Sequence, residues 1–184
     1  KPPAFEMQGL SEDDLIDFTP QLRREALEVL ANYDMGPLFN PPIHDSDPSG
    51  KIASAMCPGD GGGANINNPP VADPTTGFLY VTSRRACSWQ RIIPGEEADA
   101  RIDQPTGTTF AAYANGPRPR PPRLSSGLPY WKPPYSNITA YDMNTGEIGF
   151  QIPKGETPDR IRNNPALEGI DIGDTGTGNA ITMV

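Results

Sequence analysis

The chain has 184 residues, with 15 Lys+Arg against 23 Asp+Glu for a net charge of −8, one His, two Cys, 19 Gly and 23 Pro. Its length is that of about one domain, and so many Gly and Pro exclude a bundle of long helices. No apolar run approaches the roughly 18 residues of a membrane-spanning helix, and the acidic balance excludes broad nucleic-acid binding, which draws on basic patches.

Residues 1–9 read as an extended lead-in. Ser11 and Asp14 have capping-box spacing at a short turn from Glu12 to Phe18. Thr19-Pro20 then supplies an N-cap and a first-turn proline. Leu22, Ala26, Val29, Leu30 and Tyr33 follow at helical spacing, with Arg23, Arg24, Glu25 and Glu28 mostly opposite. The pattern predicts a helix over about 20–33, ending near Gly36-Pro37, with its apolar stripe as a docking face.

From residue 37 the pattern turns to β. Lys51 to Met56 reads as a short strand, Cys57 to Pro70 as a Gly/Asn loop, and Asp73-Pro-Thr-Thr-Gly77 as a tight turn into a strong strand, Phe78 to Ser83. Residues 84–135 read as a long irregular insertion. Asn137 to Met143 and Glu147 to Ile152 form a hairpin across Asn144-Thr145-Gly146. Another irregular segment, 153–178, leads to a final strand opening at Ala180. Short hairpins with long loops suggest sheets stacked radially or face to face. They bury little surface per residue, and the last residues, Ala180 to Val184, are apolar. We therefore expect these strands to complete sheets with chain outside the 184 residues.

Cys57 and Cys87 lack CxxC or CxxCH spacing, which argues against zinc and covalent haem. Each lies at the edge of a β-like segment (51–56 and 78–83). Pairing of those segments brings the sulfurs together as a disulfide, which belongs to an oxidising compartment such as a periplasm. Two buried free thiols are the alternative, and geometry decides. His44-Asp45-Ser46-Asp47 gathers an imidazole and hard oxygens, but calcium needs six to eight oxygens from several segments, so a solvated loop is the simpler reading. Arg118, Arg120 and Arg123, spaced by prolines, make a basic stripe on a stiff segment. Trp89, Tyr130, Trp131 and Tyr135 either anchor the insertion or wall a pocket.

One segment carries a family resemblance: Ala140-Tyr-Asp142-Met-Asn-Thr145-Gly146-Glu-Ile-Gly-Phe150. Asp142 and Thr145 can bond the turn backbone, and Gly146 supplies a positive φ. This resembles the blade-docking repeat of the quinoprotein dehydrogenases, eight-bladed propellers that bind pyrroloquinoline quinone (PQQ), with Phe150 where Trp is usual. The order is also shared: the helix, then Gly36-Pro-Leu-Phe-Asn-Pro-Pro42, Pro58-Gly-Asp60-Gly-Gly62-Gly63-Ala-Asn65 and Val71-Ala-Asp73-Pro-Thr-Thr-Gly77-Phe-Leu-Tyr80-Val. It is similar to the C-terminal part of the membrane glucose dehydrogenase-like quinoproteins.

The resemblance implies an all-β fold of propeller blades with one peripheral helix and long loops. Residues 1–184 would be the C-terminal portion of one propeller domain. Its parts are a lead-in and helix (1–50), a blade hairpin with a Gly-rich loop (51–83), an irregular insertion (84–135), and a hairpin with the start of the closing blade (136–184). The Gly-rich loop approaches the quinone, with Asn65 at the cofactor and Asp60, Gly62 and Gly63 as further candidates. The implied reaction is oxidation of a sugar or alcohol by hydride transfer to PQQ, with calcium polarising the quinone. Electrons pass on to a quinone or cytochrome acceptor. The aspartate base and the calcium ligands are expected before Lys1, so no catalytic or metal role is assigned here, and the chain alone is expected to be inactive. Its partner is the remainder of the propeller or other chains completing it. A periplasmic location is expected, with membrane association through a preceding region. Where the family follows the Asn with Trp and two Gly, this sequence has Ile66, Asn67 and Asn68. The rival reading is a non-catalytic periplasmic propeller that serves as a scaffold or binding subunit.

Overall fold

The computed structural model describes residues 1–64, 69–100, 112–117 and 119–179. A single 3₁₀ turn at Glu12–Asp14 precedes helix α1, Pro20–Leu30. Asp14 caps the turn by accepting from the Ser11 amide (2.8 Å) and hydroxyl (2.7 Å). Thr19 caps α1 by accepting from the Leu22 amide at 3.1 Å. The expected stripe is a docking face: Leu22, Ala26 and Leu30 are buried in the main apolar core. Leu10, Leu15, Ile16, Tyr33, Ala55, Leu124 and Ile161 share that core.

Eight strands follow: β1 Ile43–His44, β2 Ser54–Met56, β3 Val71–Asp73, β4 Phe78–Arg84, β5 Ser88–Pro94, β6 Tyr113–Asn115, β7 Ser136–Asp142 and β8 Glu147–Pro153. The described residues also hold two short helices, α2 Gly95–Ala100, which packs on β5 and β6, and α3 Asp159–Arg162. One sheet is β3-β4-β7-β8, antiparallel throughout. In the other, β5 pairs antiparallel with β2 and β6 and parallel with β1. The insertion is thus less irregular than its composition suggests, because 88–94 is the central strand of a sheet. The expected hairpin over 51–83 does not form. Residues 54–56 pair with β5, and the hairpin partner of β4 is β3. The expected strand from Ala180 lies outside the described residues.

The two turns of the β3-β4-β7-β8 blade are copies of one device. The Asp73 carbonyl accepts from Gly77 (2.9 Å) and the Asp142 carbonyl from Gly146 (2.8 Å). Each Asp side chain accepts an amide two residues on, from Thr75 and Asn144, both at 2.8 Å. Both glycines sit at φ 73°, a conformation that disfavours any Cβ. The turns abut, with the Met143 amide bonded to the Gly77 carbonyl at 2.9 Å. On one face of this blade Phe78, Tyr80 and Phe150 line up with centroids 6.2 and 6.3 Å apart. Phe150 and Ile152 remain 43% and 47% exposed there. On the other face the lead-in runs as a strap, held by Tyr141 Oη to the Pro3 carbonyl (2.6 Å) and Gln151 Nε2 to the Phe5 carbonyl (2.9 Å). Among the described residues no helix is long and apolar enough to cross a membrane.

Candidate functional site

The Gly-rich loop is not a free surface hairpin. It lies along residues 84–88, between the ends of β4 and β5. The Gly63 amide donates to the Arg84 carbonyl (2.8 Å) and the Arg84 amide returns a bond to Gly63 (3.1 Å). The Gly59 amide donates to Ala86 (2.9 Å), and the Asp60 amide donates to Ser88 Oγ (2.6 Å). Cys57 and Cys87 are joined as a disulfide. Their strands meet differently from the expected pairing of 51–56 with 78–83. It is the β2–β5 register, Met56 opposite Ser88, that brings the sulfurs together.

This packing accounts for two of the glycines. A Cβ on Gly59 would lie 2.0 Å from the Ser88 nitrogen, and one on Gly62 would lie 2.6 Å from the Ala86 carbonyl oxygen. These positions are small because the chain's own backbone passes there, so Gly62 serves the loop's seating. Gly63 is buried in the ladder with Arg84. Asp60 and Gly61 face outward, and the space beside Gly61 meets only Arg84 Nη1, at 3.9 Å from where a Cβ would stand. Asn65 lies outside the described residues, as do Ile66, Asn67 and Asn68. The described part of the site is therefore an outward patch of Asp60, Gly61 and Arg84. Arg84 was not singled out from sequence; the only signal was an Arg-Arg pair closing a strong strand.

Behind the loop is a buried ion pair. Glu6 accepts from Arg85 Nε (2.9 Å), Ser83 Oγ (3.1 Å) and the Met7 amide (3.0 Å). Arg85 also reaches the Lys132 carbonyl (3.1 Å), and its amide bonds the Tyr135 carbonyl (2.9 Å). The strap, the 84–88 segment and the Gly-rich loop thus form one connected layer.

Trp89, Tyr130 and Tyr135 are buried in the main core, and Trp89 and Tyr130 also line, with Trp131 and Arg123, a surface cavity. Burial pushes the Tyr130 and Tyr135 hydroxyls above the ordinary tyrosine range, so neither ionises near neutral pH. His44 Nδ1 lies 2.6 Å from Ser46 Oγ and 3.2 Å from Asp45 Oδ1, and its ring packs edge-on against Tyr113 at 4.8 Å. Among the described residues no group of three or more His, Cys, Asp and Glu is placed to hold a metal ion. Arg118 of the basic stripe lies outside the described residues, and Arg120 gives its carbonyl to Tyr33 Oη at 2.8 Å.

Comparison with known proteins places this architecture. The chain is 28% identical over 169 residues to the quinate/shikimate dehydrogenase (quinone) of Acinetobacter baylyi, across 85% of this chain and 20% of that protein. It thus spans a fifth of that relative's length. No solved structure matches the chain at a significant level. A family model, "PQQ: Glucose/ethanol/alcohol dehydrogenase, beta-propeller domain", matches residues 1–184. With that match across its whole length, and a four-stranded antiparallel blade turned by paired Asp-x-x-Thr-Gly devices, the chain belongs to the PQQ glucose/ethanol/alcohol dehydrogenase β-propeller domain family.

Proposed function

We propose that this chain is part of a PQQ-dependent dehydrogenase that oxidises a sugar or alcohol by hydride transfer to the quinone. The observation that carries the reading is the family match over residues 1–184. The relative's name adds a substrate type, quinate or shikimate, and favours a quinone over a cytochrome as electron acceptor. When bound, PQQ supplies the two-electron acceptor for the substrate hydride.

The outward patch fits such a group. PQQ is planar and carries three carboxylates. Gly61 leaves a surface without a side chain, and the Arg84 guanidinium beside it matches the anion's charge. The Asp60 carboxylate is the wrong sign for the quinone's acids and suits a cation. Asn65 is retained as a quinone contact on the resemblance alone. Calcium belongs with the quinone, its ligands and the aspartate base coming from chain beyond these residues.

The uncovered aromatic face of the blade supports a partner in the form of further propeller. Phe78, Tyr80, Phe150 and Ile152 there make an apolar surface that a neighbouring blade of an eight-bladed, glucose-dehydrogenase-like propeller would bury. The Cys57–Cys87 disulfide supports a periplasmic location, with a preceding region as membrane anchor. The second reading is a non-catalytic propeller scaffold, favoured by Ile66 at the family's Trp position.

The test uses the full-length protein that carries this chain. It is given PQQ and Ca²⁺, a reducible dye, and a panel of sugars, alcohols, quinate and shikimate. Dye reduction that requires both PQQ and one substrate class supports the dehydrogenase. Quinone uptake or none, with no turnover on any substrate, overturns it in favour of the scaffold.

A further inference from the structure

We propose that Ser88 and the Cys57–Cys87 disulfide are positioning groups for the cofactor-facing loop, and that capture of PQQ depends on the disulfide being closed. The proposal rests on the PQQ reading above. Four of the eight residues from Cys57 to Ala64 are glycine, Gly59, Gly61, Gly62 and Gly63. Such a backbone has a large conformational entropy to lose and does not hold a shape by itself.

Its shape here comes from the 84–88 segment. The disulfide fixes the loop's start to that segment, and the Gly63–Arg84 pair of amide bonds fixes its far end. Between them, Ser88 Oγ accepts the Asp60 amide at 2.6 Å. Gly59 is pressed so close to Ser88 that a Cβ would fall 2.4 Å from Oγ. Ser88 therefore sets where Asp60 and Gly61, the outward residues, stand relative to Arg84. The segment is rigid in turn because Arg85 is locked to buried Glu6 and to the Lys132 carbonyl. A loop held in its binding shape before the ligand arrives loses less entropy on binding.

Reduction by a dithiol breaks the S–S bond. Two electrons and two protons pass to the sulfurs of Cys57 and Cys87, and the reagent closes to its own cyclic disulfide. The loop then keeps its amide bonds but loses its covalent anchor.

The experiment titrates PQQ into the apo form of the full-length protein, following quinone absorbance. Wild type and Ser88→Ala are compared, each oxidised and after dithiothreitol, alkylation of the freed thiols and removal of the reagents so that no thiol reduces the quinone, with amide exchange measured over residues 57–64. Ser88→Ala is expected to raise Kd about fivefold, the effect of one hydrogen bond, and to shift the absorbance of the bound quinone. Reduction is expected to raise Kd about tenfold or more and to speed exchange across the loop. Should reduction also loosen distant segments, the oxidised Ser88→Ala variant decides. A wild type that binds PQQ with a Kd unmoved by both perturbations overturns the positioning role. A wild type that takes up no PQQ overturns the cofactor reading itself and this proposal with it.

Discussion

Removing the Glu6 carboxylate tests the connected layer behind the loop. Its side chain is 1% exposed and that of its partner Arg85 is 15% exposed. Three donors converge on it, from Arg85 Nε, Ser83 Oγ and the Met7 amide. Glu6→Ala leaves a guanidinium largely out of water with only the Lys132 carbonyl, and strands a buried hydroxyl and a buried amide. Breaking a buried pair from one side costs about 3–5 kcal/mol, because the surviving charge is uncompensated. The pair itself is worth less than that, since replacing both partners by apolar groups is often near neutral. Glu6→Leu with Arg85→Met should therefore recover more than half of the loss. The assay is urea unfolding of the full-length variants, read by the midpoint at unchanged slope, together with amide exchange over residues 3–7. A Glu6→Ala loss below about 1 kcal/mol, the level of a surface ion pair, would refute the reasoning.

Three other perturbations have definite outcomes. The Cys57–Cys87 bond closes a separation of 30 residues, for which chain entropy gives about 3.5 kcal/mol. Cys57→Ser with Cys87→Ser should lower the urea midpoint accordingly, and an unchanged midpoint contradicts this. Gly62→Ala places a Cβ 2.6 Å from the Ala86 carbonyl oxygen. Overpacking of this kind costs about 1–3 kcal/mol, visible as a lower Tm, whereas an unchanged Tm would mean that the loop is not seated as described. Burial raises the Tyr130 and Tyr135 hydroxyls above the tyrosine range, so the folded state holds these protons more tightly than the unfolded one. Their stabilising contribution is fully present below about pH 10, the unfolded tyrosine value, and is lost as pH rises through the folded values. The urea midpoint should fall above about pH 10, and Tyr130→Phe should flatten that fall; a midpoint that stays level contradicts it.

Local signals were readable and non-local ones were not. Helix α1 was legible because Thr19, Pro20 and the Leu22–Ala26–Leu30 stripe lie within a few turns of one another. The β7–β8 hairpin was legible because Asp142, Thr145 and Gly146 encode their own turn. The family was legible for the same reason, since its docking motif is contiguous. Strand β5 was hidden inside a Pro-rich stretch, because its partners β1, β2 and β6 are only two or three residues long and come from distant parts of the chain. The disulfide illustrates the point: the cysteines were candidates, but the strands that join them were not the expected ones. Gly62 reads as room for a ligand, and the structure fills that room with the Ala86 carbonyl. Glu6 and Arg85, 79 residues apart, carry no motif at all. Nothing in the sequence pattern tied Arg84 to Gly61.

The measurement that bears most directly on the central claim is the stoichiometry of PQQ uptake by the full-length protein, with Ca²⁺ present, read from quinone absorbance after removal of free cofactor. One tightly bound quinone per chain, weakened by Arg84→Ala without loss of fold, is the result expected of a quinoprotein whose outward patch faces its cofactor. A folded protein that retains no quinone would contradict it and leave a propeller that binds something else.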